Sequence, residues 1–404
     1  MRIFYASDST PNPFFQSDLW RNNLYLPLVD LGHDVVEFDY DLRETFQNLS
    51  PEDQQQKAFI EKNRPVISAE LLRQLEIAHT AKPIQLFFSY FNDACVTPET
   101  IDEIKAMGIK TVNWYCNGSY QLHLVSEIAP HFDWCLAPEQ FRLKDYVAMG
   151  AHPIYSQEAA NPTIYKPYDL AIEFDVTFVG QAYGDRPAHI KYLRDRGIDV
   201  RLWGYGWREH YMEPTKPEVL SQKPDPLKRA LYIGRRLTTL EGWHAALNRL
   251  TAANDTGGGA EPVLPPESTK IAFPSEVVNG VLSDLEMIQM YSRSRINLGF
   301  SSCGETHKTE ERVLQVRLRD FEVPMSGGFY MVEYMEELEE FYKIGKEIVC
   351  YTDVHDLADK IKYYLRHDAE RDAIRLAGHE RCLRDHTWQK RFRKAFEKMG
   401  LSKC

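Results

Sequence analysis

An α/β fold built from two parallel-sheet halves is what this chain's residue pattern predicts, and three observations predict it. Short apolar runs alternate with helix-length segments in both halves, the signature of βαβ units. A stretch with two prolines, AANPTIYKP at Ala159–Pro167, breaks that rhythm near the middle and reads as a linker. At 404 residues the chain is long enough for two domains that each bury a core. Two such halves imply a cleft between them, the default place for a ligand.

The elements follow in order. MRIFYAS is a short apolar strand at the start. Asp18 could cap the helix LWRNNLYLPLVDL, Gly32 stops it, and HDVVEFD resumes as a strand. Further units follow: IQLFFSY, PETIDEIKAMG and IKTVNWYC, then NGSYQLHLVSEIAP, DWCLAP and QFRLKDYVAMG. The segment Asp41–Arg64 is polar and Gln-rich and reads as a surface excursion with a helix. Beyond the linker, DVTFVGQ (Asp175–Gln181) opens a second series, continued by the helix HIKYLRDRG and the strand IDVRLWG. Pro214–Pro274, with a helical piece and DTGGGAEPVLPPES, reads as an exposed insertion. The pattern resumes with DLEMIQMYSRSR, INLGF (Ile296–Phe300) and EIVCYTD (Glu347–Asp353), and from Asp356 the chain is nearly all helix.

Composition narrows the function. A hydrophobic share of 43% and a charged share of 26% are those of a soluble globular protein. With 48 Lys and Arg against 59 Asp and Glu, the net charge of −11 argues against a nucleic-acid-coating surface and against anionic lipid, while leaving room for a local basic cleft. The seven cysteines are scattered and never spaced C-x-x-C, so they read as free thiols rather than zinc ligands or disulfides. No long apolar h-region opens the chain and no run approaches a membrane span, and a cytoplasmic location is expected.

Between INLGF and EIVCYTD lies the polar loop SSCGETHKTEER and then RDFEVPMSGGFYMVE (Arg319–Glu333). A strand, a polar loop, a helix with Arg and Glu, a glycine pair and another strand suggest a nucleotide pocket. A carboxylate there can accept both hydroxyls of a ribose, and glycines let backbone N–H groups approach a phosphate. A solvated helix residue is the plain alternative for Glu322.

DVTFVGQAYGDR with WGYGW, then INLGF, RDFEVPMSGGFYMVE, GKEIV and HTWQKR, resembles the spore-maturation CgeB-like family of GT-B glycosyltransferases over most of Asp175–Phe396. The N-terminal half matches through strand 1, LGHDV and the AANP linker. The resemblance implies two facing Rossmann-like domains: an acceptor domain over 1–165, and a nucleotide-sugar donor domain over 170–380 with its insertion at about 214–274. A last helix within 381–404 would cross back to the first domain. It implies no cofactor beyond a nucleoside-diphosphate sugar, UDP-linked on prior odds, and no metal. By that analogy Glu322 binds the donor ribose. Many such enzymes carry another Glu eight residues earlier, where this chain has Leu314, so sugar recognition must come from elsewhere, for instance the Gly304–Lys308 loop.

Transfer requires the departing diphosphate to be stabilised, which backbone amides, a helix N-terminus and Lys or Arg side chains can do. Gly180, Gln181 and Arg186 follow the first strand of the second half and could face the phosphates; a turn and a solvated charge are the alternatives. Lys308, Arg312, Arg317 and Arg319 are the other cations, with Arg319 favoured for standing three residues before Glu322. Gly327 and Gly328 could approach the diphosphate or form a helix C-cap. Gly204 and Tyr205 in WGYGW could line the cleft or form a packed aromatic turn. Asn279 and Gly280 stand where such domains meet the nucleobase, a helix-entry turn being the alternative.

For deprotonating an acceptor hydroxyl, the candidates are Asp8 and Asp18 in the loop after strand 1, and His123 after IKTVNWYC. Asp18 as a helix cap and His123 as a structural residue remain open. Asp39-Tyr40-Asp41, the Gly257–Gly259 run and HTWQKR read as a strand-end acidic pair, a flexible linker and a helix start between domains. The expected partners are a nucleotide-sugar donor and a glycan, lipid-linked or small-molecule acceptor, with no nucleic acid. The alternatives are a nucleotide-sugar epimerase or hydrolase on the same scaffold, and a non-catalytic nucleotide- or glycan-binding protein.

Overall fold

The computed structural model describes residues 1–8, 17–208, 271, 273–304 and 312–401. Two separate parallel sheets form. The first contains β1 (Arg2–Ala6), β2 (Asp34–Glu37), β3 (Leu86–Ser89), β4 (Lys110–Trp114), β5 (Trp134–Ala137) and β6 (Pro153–Tyr155), in the order β2-β1-β3-β4-β5-β6. The second contains β7 (Phe174–Val179), β8 (Val200–Trp203), β9 (Ser294–Leu298), β10 (Tyr330–Glu333) and β11 (Val349–Tyr351), in the order β11-β10-β9-β7-β8. Ile3–Ala6 and Leu86–Ser89 are buried throughout, which is why these strands read as unbroken apolar runs: helices cover both faces of a parallel sheet. β6 falls in a stretch before the linker to which the sequence pattern assigns no element, and β10 lies within the glycine-pair segment.

Both sheets reverse direction beside their first strand. β1 lies between β2 and β3, and β7 lies between β8 and β9. At such a switch point the two loops leaving the carboxyl ends diverge and open a crevice, the usual ligand position in doubly wound sheets.

The helix after β1 shows how sequence sets local structure. Residues Arg21–Tyr25 form a π turn and Leu26–Asp30 continue as α1. Leu26 N–H donates to Arg21 O, so the next donor in register would be Pro27, which has none. The orphaned Asn22 carbonyl instead accepts Asn161 Nδ2 at 2.8 Å, from the crossover between domains. The polar segment before β3 resolves into α2 (Gln54–Ala81), capped by Asp53, which accepts from the N–H groups of Gln55 and Gln56; this helix is longer than the sequence suggested and runs through Pro65.

α3 (Pro98–Ala106), the short α4 (Gly118–Gln121) and α5 (Leu143–Ala148) complete the first domain. The second carries α6 (Arg186–Arg194), α7 (Asp284–Arg293), α8 (Arg319–Met325), α9 (Val354–Tyr364) and α10 (Asp368–Asp385). The last helix, α11 (Trp388–Lys398), returns to the first domain: Trp388, Phe392 and Phe396 join its core, with Trp388 edge-on to Trp114 at 5.5 Å. Its Thr387 cap accepts Lys390 N–H at 3.3 Å.

The two crossings between domains are bonded to each other. Ala160 N–H donates to His386 O at 3.2 Å, and Trp388 N–H donates to Ala160 O at 3.4 Å. Most of the expected insertion, Pro214–Pro274, lies outside the described residues, as does Lys308. The six described cysteines are buried and none of them is in a disulfide, and no described helix is long and apolar enough to cross a membrane.

Candidate active site

The carboxyl ends of β7 and β8 are pressed together by glycines. Gly180 N–H donates to Trp203 O and Ala182 N–H to Tyr205 O, both at 2.8 Å, while Trp207 Nε1 donates to Gly180 O at 2.7 Å. A Cβ on Gly204, whose φ is +130°, would stand 2.2 Å from Gly180 O. Only glycine permits that backbone approach. Asn279 N–H donates to Leu202 O, and Gly204 N–H donates to Gly280 O, so the 277–280 segment lies along the outer side of β8. Gly180, Gln181, Gly204, Tyr205, Asn279 and Gly280 are thereby gathered at one edge. Asn279 spends its side-chain amide on Leu202 O and Val277 O, while Gln181 and Tyr205 are exposed.

Arg186 opens α6 beside this edge. It is 6% exposed, donates to Gln181 O at 3.0 Å and to Tyr183 Oη at 2.7 Å, and lies 3.8 Å above the Tyr183 ring. Burial, reinforced by repulsion from Arg317 and Arg319, pulls its guanidinium down to about 10. Arg317 donates to Ser302 O at 2.7 Å, and its Nε is buried without a hydrogen-bond partner. Among the described residues, none of these three arginines forms an ion pair. Arg312 is different: it bridges Asp185 and Glu333, so its charge is already neutralised.

α8 begins at Arg319, and every residue from Asp320 to Met325 is buried. Glu322 is therefore no solvated helix residue: it is 2% exposed, and its Oε1 is buried without a hydrogen-bond partner. Burial raises its carboxyl, opposed by the neighbouring Arg319. The Tyr165 hydroxyl lies beside Glu322 and accepts Asn23 Nδ2 at 3.2 Å. Asp320 is committed to the fold, accepting Tyr330 Oη at 2.7 Å and Arg317 N–H at 2.8 Å.

Gly327 and Gly328 lie elsewhere. They end α8 and enter β10 at its amino end, away from the carboxyl edge. Gly327 takes φ +72°, its N–H bonds Pro324 O, and Gly328 N–H bonds Val323 O, closing the helix. A Cβ on Gly328 would meet Val323 and Asn297 at 2.8 and 2.9 Å. The C-cap role is the one their geometry displays, and a helix C-terminus repels rather than attracts a phosphate.

On the other domain, Asp8 stands partly buried just past β1. Asp18 starts the following helix: its C=O accepts Asn22 N–H, and its N–H donates to Asp284 Oδ2 at 2.8 Å, across the domain boundary. His123 is exposed in a turn after α4.

The sequence reading did not select the residues that join the domains here. Gln315 reaches across: its Nε2 donates to Cys116 O at 3.1 Å and Glu139 Oε1 at 3.3 Å, and its Oε1 accepts Ser119 Oγ at 2.8 Å. Burial raises the Glu139 carboxyl to about 7. Glu158, on the crossover, is 5% exposed. Nothing in local sequence marks Gln315, Glu139 or Glu158; only the apposition of the sheets does. The described residues hold no group of three or more His, Cys, Asp or Glu arranged for a metal ion.

Residues 235–397 match a family model described as glycosyl transferase-like. No curated protein matches the chain. Among solved structures, the chain resembles sucrose-phosphate synthase from Thermosynechococcus elongatus at TM-score 0.55 and 12% identity, covering 99% of each chain. It resembles Anabaena HepE in complex with UDP-glucose at 0.51 and 12%, covering 99% of this chain and all of that one. A glycosyltransferase from Rickettsia africae matches at 0.50 and 11%, with 98% and 97% covered. At such identities these likenesses show the fold, which is GT-B.

Proposed function

We propose that the chain is a glycosyltransferase of the CgeB-like kind. It moves a sugar from a nucleoside-diphosphate donor, UDP-linked, to a hydroxyl of a glycan, lipid-linked or small-molecule acceptor. The observation that carries this reading is the pair Arg186, buried, and Arg317, half-buried with its Nε enclosed, neither of them ion-paired among the described residues, at the carboxyl edge of the second sheet. A buried cation without a counter-ion is costly, and a diphosphate would supply the missing charge. The match to a glycosyl transferase-like family model and the UDP-glucose bound by HepE favour that anion over others.

In this reading Glu322 accepts the ribose hydroxyls through its unpartnered oxygen, and Gly280 and Tyr205 border the base. The acceptor oxygen attacks the anomeric carbon, the bond to the diphosphate oxygen breaks, and the growing charge on that oxygen meets Arg186 and Arg317. Asp8, at the end of a central strand of the first sheet, is the candidate to take the acceptor's proton; Asp18 starts a helix and His123 faces solvent. The reaction is expected to proceed without a metal and in the cytoplasm.

Calorimetric titration with UDP, GDP, ADP, dTDP and CMP, with and without magnesium and EDTA, tests the reading. One clear binder insensitive to EDTA is expected. Glu322→Ala should lose about 1.5–3 kcal/mol, roughly 10–100-fold in Kd, while remaining folded. Unchanged affinity in that variant would remove the ribose assignment.

A further inference from the structure

We propose that Glu158 is a donor-sugar contact, its carboxyl group receiving hydroxyls of the sugar carried by the nucleotide. This rests on the donor reading above and extends it to the part of the substrate that is transferred.

Glu158 lies on the strand-free crossover between β6 and the linker, so it belongs to neither sheet and stands at the seam. Its backbone N–H donates to Gln157 Oε1 at 2.8 Å, but its carboxyl group has no hydrogen bond or ion pair among the described residues. Around it are Glu139 from the first domain and Glu322, Asp320 and Arg317 from the second, all close enough to act on its charge. Three of these neighbours also hold unspent capacity: Glu139 Oε2, Glu322 Oε1 and Arg317 Nε are buried without partners.

Unsatisfied polar atoms of this kind are rare in folded interiors, and each destabilises the protein by about 1–3 kcal/mol. Such atoms occur elsewhere among the described residues too, at Arg64 and Gln389 for example, but these three belong to groups from both domains that act on one carboxyl group, and a polar ligand at that seam would satisfy them together. Its chemistry follows from the set. Three acceptor-rich carboxyl groups would repel a phosphate, so the anion belongs with the arginines. What the carboxyl groups fit is a neutral, hydroxyl-rich group, since each hydroxyl both donates and accepts.

Glu158 neighbours both the carboxylate assigned to the ribose and the arginine assigned to the diphosphate. A group reached from both of those points, on the side of the first domain, is the sugar between diphosphate and acceptor. Burial, with Glu139 and Glu322 adding to it, lifts the Glu158 carboxyl well above the usual range. A protonated carboxyl can donate one hydrogen bond and accept another, and it does not oppose the nearby phosphate charge.

The test separates the nucleotide from its sugar. The wild type, Glu158→Leu and Glu158→Gln are titrated with UDP, GDP, ADP and dTDP and with their hexose conjugates, and Tm is measured for each. For Glu158→Leu, affinity for the conjugate should fall at least tenfold while that for the free nucleotide stays within twofold. Tm should hold or rise, because a desolvated group is removed. Glu158→Gln, which keeps one donor and one acceptor, should lose about threefold on the conjugate and serves if the leucine variant does not fold. Conjugate affinity unchanged in both variants overturns the inference. So does an equal loss for nucleotide and conjugate, which would make Glu158 a structural residue. A wild type that binds none of these molecules sinks the donor reading and this inference together.

Discussion

Arg186 donates to the Tyr183 hydroxyl at 2.7 Å and holds its guanidinium 3.8 Å above the same ring, so its cation is bound by a π face and a carbonyl rather than by a carboxylate. Cation–π contact recovers only about 0.5–2 kcal/mol of a burial cost several times larger. Removing the charge should therefore leave stability intact or improved. Arg186→Met, which keeps the apolar stem over Phe178 and Tyr183, should fold with an equal or higher Tm. Nucleoside diphosphate affinity should fall roughly 10–100-fold, the loss of a charged hydrogen bond. A Tm drop of the size seen for core variants, with affinity unchanged, would show that the arginine serves packing alone.

Glu139 gives a pH signature. Its carboxylate accepts Ser119 N–H at 3.2 Å and Gln315 Nε2 at 3.3 Å, yet burial dominates and raises it to about 7. The folded state thus holds this proton more tightly than the unfolded chain, where the carboxyl titrates near 4.5. Its contribution to stability is full below about pH 4.5 and declines as pH rises through 7. Glu139→Gln should be more stable than wild type by about 1–3 kcal/mol at pH 8, with the gap closing by pH 4.5. Urea unfolding at the two pH values checks this; a gap independent of pH would mean that the carboxyl is not buried as charge.

The fold was legible because its signals are local. Ile3–Ala6 and Leu86–Ser89 are apolar on both faces, Asp53 and Thr387 cap helices from within one turn, and AANP marks the crossing. β6 was missed because Pro153–Tyr155 is only half-buried and three residues long, too short for a periodic signal. Glu322 stands out in its motif, but its burial does not, since that depends on packing with Tyr165 from the linker. Gly327 and Gly328 carried a glycine pair's double meaning, and the helix end before them decides between phosphate cradle and cap. Gln315, Glu139 and Glu158 could not be read at all. Their neighbours lie up to about two hundred positions away in the chain, and no spacing rule encodes a contact between two separate sheets.

Gly204 predicts the stiffness of the edge that borders the site. Any side chain there would meet Gly180 O at 2.2 Å in a backbone conformation, φ +130°, that L residues rarely adopt. Gly204→Ala must separate the β7 and β8 loops, and should cost about 2–4 kcal/mol in urea unfolding. Gly197 also has positive φ (+75°), but nothing lies within 4 Å of a Cβ built there. Gly197→Ala should cost about 1 kcal/mol, the conformational part alone. Equal losses for the two variants would show that the close approach at Gly204 adds nothing.

His386 sits where the chain crosses back between domains, and its ring is fixed as the neutral form. Nε2 stands 2.7 Å from Phe341 O, so it carries the proton, and Nδ1 accepts from Arg391 at 3.3 Å. Burial, then the Arg391 charge, lowers its pKa from 6.5 to about 3. The folded state therefore binds this proton less readily than the unfolded chain. Stability from the neutral ring is present above pH 6.5 and is lost as pH falls toward 3. Near pH 4.5 the loss amounts to roughly 2–3 kcal/mol. It falls on the element that joins the crossings, because the His386 carbonyl also accepts Ala160 N–H at 3.2 Å. His386→Gln can keep the donor to Phe341 O without a titrating ring, so it should lose less stability than wild type between pH 7 and 4.5. The comparison is made between proteins at each pH, because Glu139 and Asp320, both raised by burial, push wild type and variant alike in the opposite direction. A wild-type loss no larger than the variant's would show that protonation at this crossing does not govern acid unfolding.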